Sequence, residues 1–245
     1  MIIIKNDYFD LDKIADSGQC FRWNKVSENT YEIPAFNRVL TISQNGGEVS
    51  LDCSREDYDA IWNAYFDIDS DYEAYHSAAV SSGLPFLEAA ANYSKGIRIL
   101  RQDLWETALS FVISQNNNIP RIKLCLNRVI ERFGCFPEPG DLSEGSLAGL
   151  KLGYREDYIY DLAKRFTPDF TDFLSVKGIG PKVYNCIALF GLGRKDAFPR
   201  DVWIKRVELE QFGGRFPEER FAGFAGVMQQ YLFYYGKNNT PKTKT

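Results

Sequence analysis

The 245-residue chain has one histidine, His76, and five cysteines with no C-x-x-C pair among them. Zinc sites need several closely spaced Cys or His ligands, so no metal site is expected, and His76 reads as a surface residue. Cys20, Cys53, Cys125, Cys135 and Cys186 are odd in number and scattered, which favours reduced thiols and a cytoplasmic setting over a disulfide framework. No apolar run approaches the roughly 20 residues of a membrane span, and Met1-Ile-Ile-Ile-Lys5 is too short for a signal peptide. Internal repeats and low-complexity tracts are absent too.

What remains is ordinary soluble composition, 44% hydrophobic and 25% charged, long enough for one large domain or two modest ones. The net charge of −4 conceals an asymmetry. Residues 1–95 carry 7 Lys/Arg against 16 Asp/Glu, whereas residues 96–245 carry 22 against 17. An anionic polymer would therefore meet the C-terminal part, through a local patch.

The first third has short runs rich in β-branched and aromatic residues: 21–23, 30–33, 38–43 and 48–53. Asn45-Gly46-Gly47 between the last two signals a hairpin. From Arg55 the periodicity is helical, with helices expected at about 103–115, 119–133, 143–150, 155–166, 169–175, 181–191, 201–212 and 217–235. The tail 237–245 is polar and is expected to fray. The fold class is α+β: an N-terminal antiparallel sheet with helices (1–84), then a mainly helical domain (85–245) of two lobes around a cleft.

Residues 174–201, LSVKGIGPKVYNCIALFGLGRKDAFPRD, are the most informative stretch. A glycine hairpin, Gly178-Ile179-Gly180, leads into a helix opened by Pro181, whose missing N–H would be unpaired there anyway. Exposed amides beside a helix N-terminus make a seat for a phosphate. Gly178, Gly180 and Lys182 are the candidates for it. Lys182 and the carboxylate Asp201 beside such a seat suggest chemistry on a nucleic-acid sugar. The stretch resembles the helix-hairpin-helix/Gly-Pro-Asp superfamily of DNA glycosylases, which implies Lys182 as nucleophile and Asp201 as the essential carboxylate. Non-catalytic proteins also grip DNA with this device, so a binding module stays open at this point.

Three further segments narrow the resemblance to the 8-oxoguanine DNA glycosylases. Asn116-Asn117-Asn118 with Arg121 is similar to the loop that plugs the hole left by a flipped base and reads the orphaned cytosine. Helix capping would explain one or two of these asparagines. Ser17-Gly18-Gln19-Cys20-Phe21-Arg22-Trp23 resembles the signature whose glycine offers its carbonyl to the lesion. Oxidation at C8 turns guanine N7 from acceptor into N–H donor, so that carbonyl pairs with 8-oxoguanine and faces a lone pair in guanine. Such an unpaired contact costs about 1–3 kcal/mol. The run 225–233 is similar to the final helix, with Gln229 matching the reader of the Watson–Crick edge and Phe233 the ring stacked on the base. Cys186 matches the cysteine on the opposite face. Tyr154 and Arg155 match the wedge and the second cytosine reader.

The resemblance runs from Ser17 to Phe233, in the family's order, and implies a bacterial bifunctional glycosylase/lyase acting near the nucleoid. It implies double-stranded DNA with 8-oxoguanine opposite cytosine as partner, a monomer, no membrane and no cofactor. In relatives a structural cation sits on hairpin carbonyls matching Leu174, Val176 and Ile179. The sequence departs from the family at Trp203, where a phosphate-contacting histidine is usual, and in the short connection before residue 155. Glycosylases for other lesions remain as alternatives. Lys182 argues against the alkylpurine branch, and the absent four-cysteine cluster against the endonuclease III-like one.

Overall fold

The computed structural model describes residues 1–239. Five strands form one antiparallel sheet in the order β1-β5-β4-β3-β2: β1 (Ile2–Lys5), β2 (Asn24–Ser27), β3 (Thr30–Ala35), β4 (Arg38–Asn45) and β5 (Glu48–Asp52). Alternation sets the buried face, with Tyr31, Ile33 and Ala35 of β3 meeting Leu40 and Ile42 of β4 and Val49 and Leu51 of β5. Asn45 pairs with Glu48 around the Gly46-Gly47 turn, as the sequence suggests. Helix α1 (Leu11–Asp16) and the helical run 55–65, α2 (Arg55–Asp57) through a π turn to α3 (Asn63–Tyr65), cover that face with Leu11, Ile14, Trp62 and Tyr65.

Two features of the sheet depart from the sequence reading. β1 is an added edge strand on β5, because the Ile2–Ile4 run has no flanking turn signal to mark it. The segment 21–23 is a strap and not a strand. Its two large side chains go to different cores, Phe21 against Phe111 and Trp23 against Tyr31 and Phe66.

The remaining helices are α4 (Tyr72–Val80), α5 (Pro85–Tyr93), α6 (Leu104–Ser114), α7 (Ile119–Phe133), α8 (Arg155–Arg165), α9 (Pro181–Phe190), α10 (Val202–Gln211) and α11 (Ala225–Asn239). Gly134 ends α7 in the left-handed conformation (φ 75°). Three expected helices are altered. Residues 143–150 form successive turns, with Gly145 and Gly149 at φ 85° and 82°. Residues 169–175 yield one 3-10 turn, Phe173–Ser175, and 217–235 is divided by Gly223 (φ 87°) into a 3-10 turn and α11. Lys237 to Asn239 belong to α11, where Lys237 pairs with Asp16 at 3.0 Å; residues 240–245 lie outside the described residues.

The two cores do not split the chain at a single point, since Phe21 joins the second and Leu100 the first. Tyr72 and Ala79 belong to the second core, α4 packs on α5, and α5 packs on α11. Arg98 joins the two units. Fully buried, it donates to the carbonyls of Tyr8, Phe66, Asp67 and Ile68, while Asp67 receives Lys195 at 2.9 Å. His76 is half-buried against the Tyr8 ring, and burial and Lys95 lower its pKa. Among the described residues, no helix is long and apolar enough to cross a membrane.

Candidate active site

The hairpin is built from one obligatory glycine and one permissive one. Gly178 has φ +83°, and a Cβ there would lie 2.2 Å from Tyr158 Cδ2, so only glycine fits. Gly180 has φ −91°, ordinary extended backbone, and nothing lies within 4 Å of its Cβ position. Its role is to leave the amides at the start of α9 uncovered. Of the expected phosphate seat, Lys182 keeps only its backbone, because its ammonium turns inward to 5.4 Å from the Phe111 ring centroid.

That ammonium enters a small open cleft that brings distant segments together. Lys182 and Cys186 come from α9, Asp201 from the α9–α10 loop, Gly18 from the strap, and Gln229 and Phe233 from α11. Every residue the sequence assigns to catalysis or to the lesion base is present. Phe111 and Phe190, stacked at 5.6 Å, form an apolar wall, and Ser17, Pro199 and Gln230 complete the lining. The sequence reading missed these five. The phenylalanines sit among apolar neighbours in α6 and α9 that hide them, and Gln230 is overshadowed by its neighbour.

Asp201 has two jobs. It is the N-cap of α10, its Oδ1 accepting the Ile204 N–H at 2.8 Å, and it also lines the cleft beside Lys182. Burial raises its carboxyl pKa above the usual range, while the Ile204 N–H, the Lys182 charge and the Trp203 N–H act in the opposite direction. Burial pushes the Cys186 thiol up to about 11, with nearby Lys182 moderating the rise, so the group is a neutral thiol.

Gly18 is held by its neighbour. Gln19, 1% exposed, donates to the Arg98 carbonyl and to Ser17 Oγ and accepts the Leu100 N–H, each at 2.8 Å. The strap is further fixed by the partly buried ion pair of Arg22 with Glu106. With φ +77° at Gly18, its carbonyl forms no hydrogen bond among the described residues.

The asparagine loop lies outside this cleft. Asn118 caps α7, accepting the Arg121 N–H at 3.0 Å, and the Asn117 amide donates to the Ile113 carbonyl at 3.2 Å. Asn116 is left over: exposed, at φ 48°, with no side-chain bond among the described residues. Tyr154 is 48% exposed beside the loop, its ring 5.4 Å from that of Tyr158, and Arg121 is also exposed. Arg155 departs from expectation. It is buried and donates to the carbonyls of Gln115, Asn116 and Leu152, so its guanidinium braces the loop in place of facing a base. Five fixed donors near three free carbonyls make that arrangement the favoured one.

A glycine hairpin presenting a lysine and a buried carboxylate to one cleft, behind an N-terminal sheet, defines a helix-hairpin-helix DNA glycosylase of the lysine-bearing kind. Residues 1–108 match the family model for the N-terminal domain of 8-oxoguanine DNA glycosylase. The structure of MBOgg1 with a low-affinity DNA ligand is similar at 35% identity and TM-score 0.88, over 96% of this chain and 95% of that one. The Clostridium acetobutylicum 8-oxoguanine glycosylase/lyase, bound to DNA with cytosine opposite 8-oxoG, is similar at 30% identity and TM-score 0.88, over 98% and 99%. The chain belongs to the 8-oxoguanine DNA glycosylase family. The Saccharomyces cerevisiae N-glycosylase/DNA lyase is 31% identical over 51% of this chain, a match spanning only 44% of the yeast protein.

Proposed function

We propose that this chain is a bifunctional DNA repair enzyme that excises 8-oxoguanine opposite cytosine and then cleaves the strand. The observation that carries the reading is the shared cleft of Lys182, Asp201 and the unpaired Gly18 carbonyl. The target is inaccessible in a stacked duplex, so the nucleotide is flipped out at a cost of a few kcal/mol. Asn116 and Tyr154 fill the gap, and the exposed Arg121 reads the widowed cytosine. Gly18 accepts from the lesion's N7–H, a donor that guanine lacks.

Lys182, as the neutral amine, bonds to C1′ as the C1′–N9 bond breaks and the base leaves with the bonding electrons and takes up a proton. Asp201, ionised, stabilises the positive charge that develops on the sugar. The Ile204 and Trp203 N–H groups favour that ionised form against burial. Opening of the sugar ring gives a Schiff base on Lys182. Loss of a C2′ proton then expels the 3′ phosphate by β-elimination. None of these steps requires a metal or organic cofactor. A cation on the hairpin carbonyls of Leu174, Val176 and Ile179 would be structural; those of Leu174 and Ile179 accept no bond among the described residues, and Val176 accepts one, from Ile179.

The test is borohydride trapping on a duplex with 8-oxoguanine opposite cytosine. The unmutated chain is expected to link covalently to DNA, and Lys182→Gln to bind the lesion without linking or excising it. Undiminished trapping in that variant would reassign the nucleophile. No trapping by the unmutated chain would leave a DNA-gripping module.

A further inference from the structure

Pro199 and Asp201 both line the cleft, and Arg200 between them does not. The backbone at Asp201 is extended (φ −85°, ψ −173°), and along extended backbone successive side chains leave on opposite sides. Each of the three residues has its own anchor. The Pro199 carbonyl accepts Gln229 Nε2 of α11 at 3.1 Å, and Asp201 Oδ1 caps α10. Arg200 is held by two carboxylates. Its Nε donates to Glu208 Oε1 and Oε2 at 3.0 and 3.2 Å, and its Nη2 to Glu218 at 3.0 Å.

The clamp is itself anchored. Glu208 lies two turns along α10 from Asp201, is 4% exposed, and also accepts the Phe216 N–H at 3.1 Å. The guanidinium sits 4.7 Å from the Phe198 ring centroid, and that ring stacks on Phe216 at 5.3 Å. A planar guanidinium gripping carboxylates over an aromatic face is a rigid attachment. Arg215 pairs with Glu218 at 2.7 Å, so two arginines balance two glutamates and the cluster adds no net charge behind Asp201. What it supplies is geometry. The cap fixes one Asp201 oxygen, and the clamp one residue earlier fixes the direction in which the chain enters α10.

We propose that Arg200 is a positioning residue for base excision: gripped by Glu208 and Glu218 behind the cleft wall, it holds the Asp201 carboxylate beside Lys182. This rests on the glycosylase reading above.

The test compares Arg200→Met, Arg200→Lys and the double variant Arg200→Met/Glu208→Gln. Single-turnover excision of 8-oxoguanine opposite cytosine is measured against pH, together with Tm and affinity for a tetrahydrofuran abasic duplex, which cannot form a Schiff base. Arg200→Met strands a buried carboxylate and is expected to lower both Tm and rate. The double variant removes that charge, keeps an acceptor for the Phe216 N–H, and is expected to recover Tm. Its excision is expected to stay slower by about tenfold or more, with abasic affinity unchanged. The acidic limb of its rate profile should move to higher pH, because an Asp201 that drifts from the Ile204 N–H ionises less readily. Arg200→Lys, which keeps a charge against Glu208, should excise at an intermediate rate, and it carries the test if the methionine variants do not fold. A double variant that regains rate along with Tm, an acidic limb that stays in place, an equal loss of abasic affinity, or an Arg200→Lys rate equal to the unmutated one would each overturn the proposal. Failure of the glycosylase reading looks different, since the unmutated chain would then excise nothing and form no trapped complex.

Discussion

Gly18 and Phe233 touch across the cleft: a Cβ on residue 18 would lie 3.2 Å from Phe233 Cε1, on a backbone at φ +77°. The strap and the last helix therefore fit together only around a glycine. Gly18→Ala is expected to cost about 1–2 kcal/mol of left-handed strain, lowering Tm by roughly 2–8 °C in a chain of this size. It is also expected to weaken discrimination of 8-oxoguanine from guanine, because the carbonyl shifts with the backbone. Thermal melting and single-turnover excision in the presence of undamaged competitor check both parts. A normal Tm with normal discrimination would remove Gly18 from lesion recognition.

Asp201→Asn separates charge from capping. Asparagine is as good an N-cap as aspartate, so α10 should stay intact. The carboxyl pKa is raised in the folded protein. The folded state thus holds its proton to higher pH than the unfolded chain, and ionisation costs stability as pH rises through that interval. At neutral pH the variant should melt no lower than the unmutated protein, yet excise 8-oxoguanine slower by about two orders of magnitude or more. A large drop in Tm with normal excision would leave Asp201 as a cap only.

Arg121 and Arg155 should behave differently although both were read from sequence as cytosine contacts. Arg121→Met is expected to relax the preference for cytosine over adenine opposite the lesion, by about 1–3 kcal/mol per lost polar base contact. Arg155→Met is expected to lower stability, since it abandons the carbonyls of Gln115, Asn116 and Leu152. Excision rates opposite all four bases, with melting curves, tell the two apart. Equal rates for the unmutated chain opposite every base would assign Arg121 to phosphate or solvent.

Glu106 gives a pH signature. Burial pushes its pKa up to about 7 despite the Arg22 guanidinium beside it. A carboxyl raised in the folded state contributes stability below its unfolded pKa of about 4.3. That contribution is lost as pH rises through about 7. Unfolding free energy should therefore decline across that window, and Glu106→Gln should flatten the decline even if it lowers overall stability. An identical slope in the variant would place the titrating group elsewhere.

Local signals carried much of this molecule. Pro181 after Gly178-Ile179-Gly180 marks a hairpin entering a helix whatever the surroundings, because proline geometry and glycine φ are properties of the residues themselves. The Asn118 cap and the Gly134 stop are local in the same way. Polar residues that are odd for their setting, Lys182 and Gln229 in apolar helices, stood out as well. Residues 143–150 did not read correctly, since apolar periodicity there reports packing of turns against Tyr160, whose hydroxyl accepts the Leu147 N–H, and no helix forms.

Short-range stereochemistry and residue type were enough to pick out the hairpin, the Lys182/Asp201 pair and the cleft-lining residues Gly18, Cys186, Gln229 and Phe233. Folding sets that Lys182 turns inward over Phe111, that Arg155 braces a loop, and that Pro199 orients the Gln229 amide. Those outcomes depend on which groups meet across about 30 to 70 residues of chain separation, and a buried polar group takes the partner that folding brings to it.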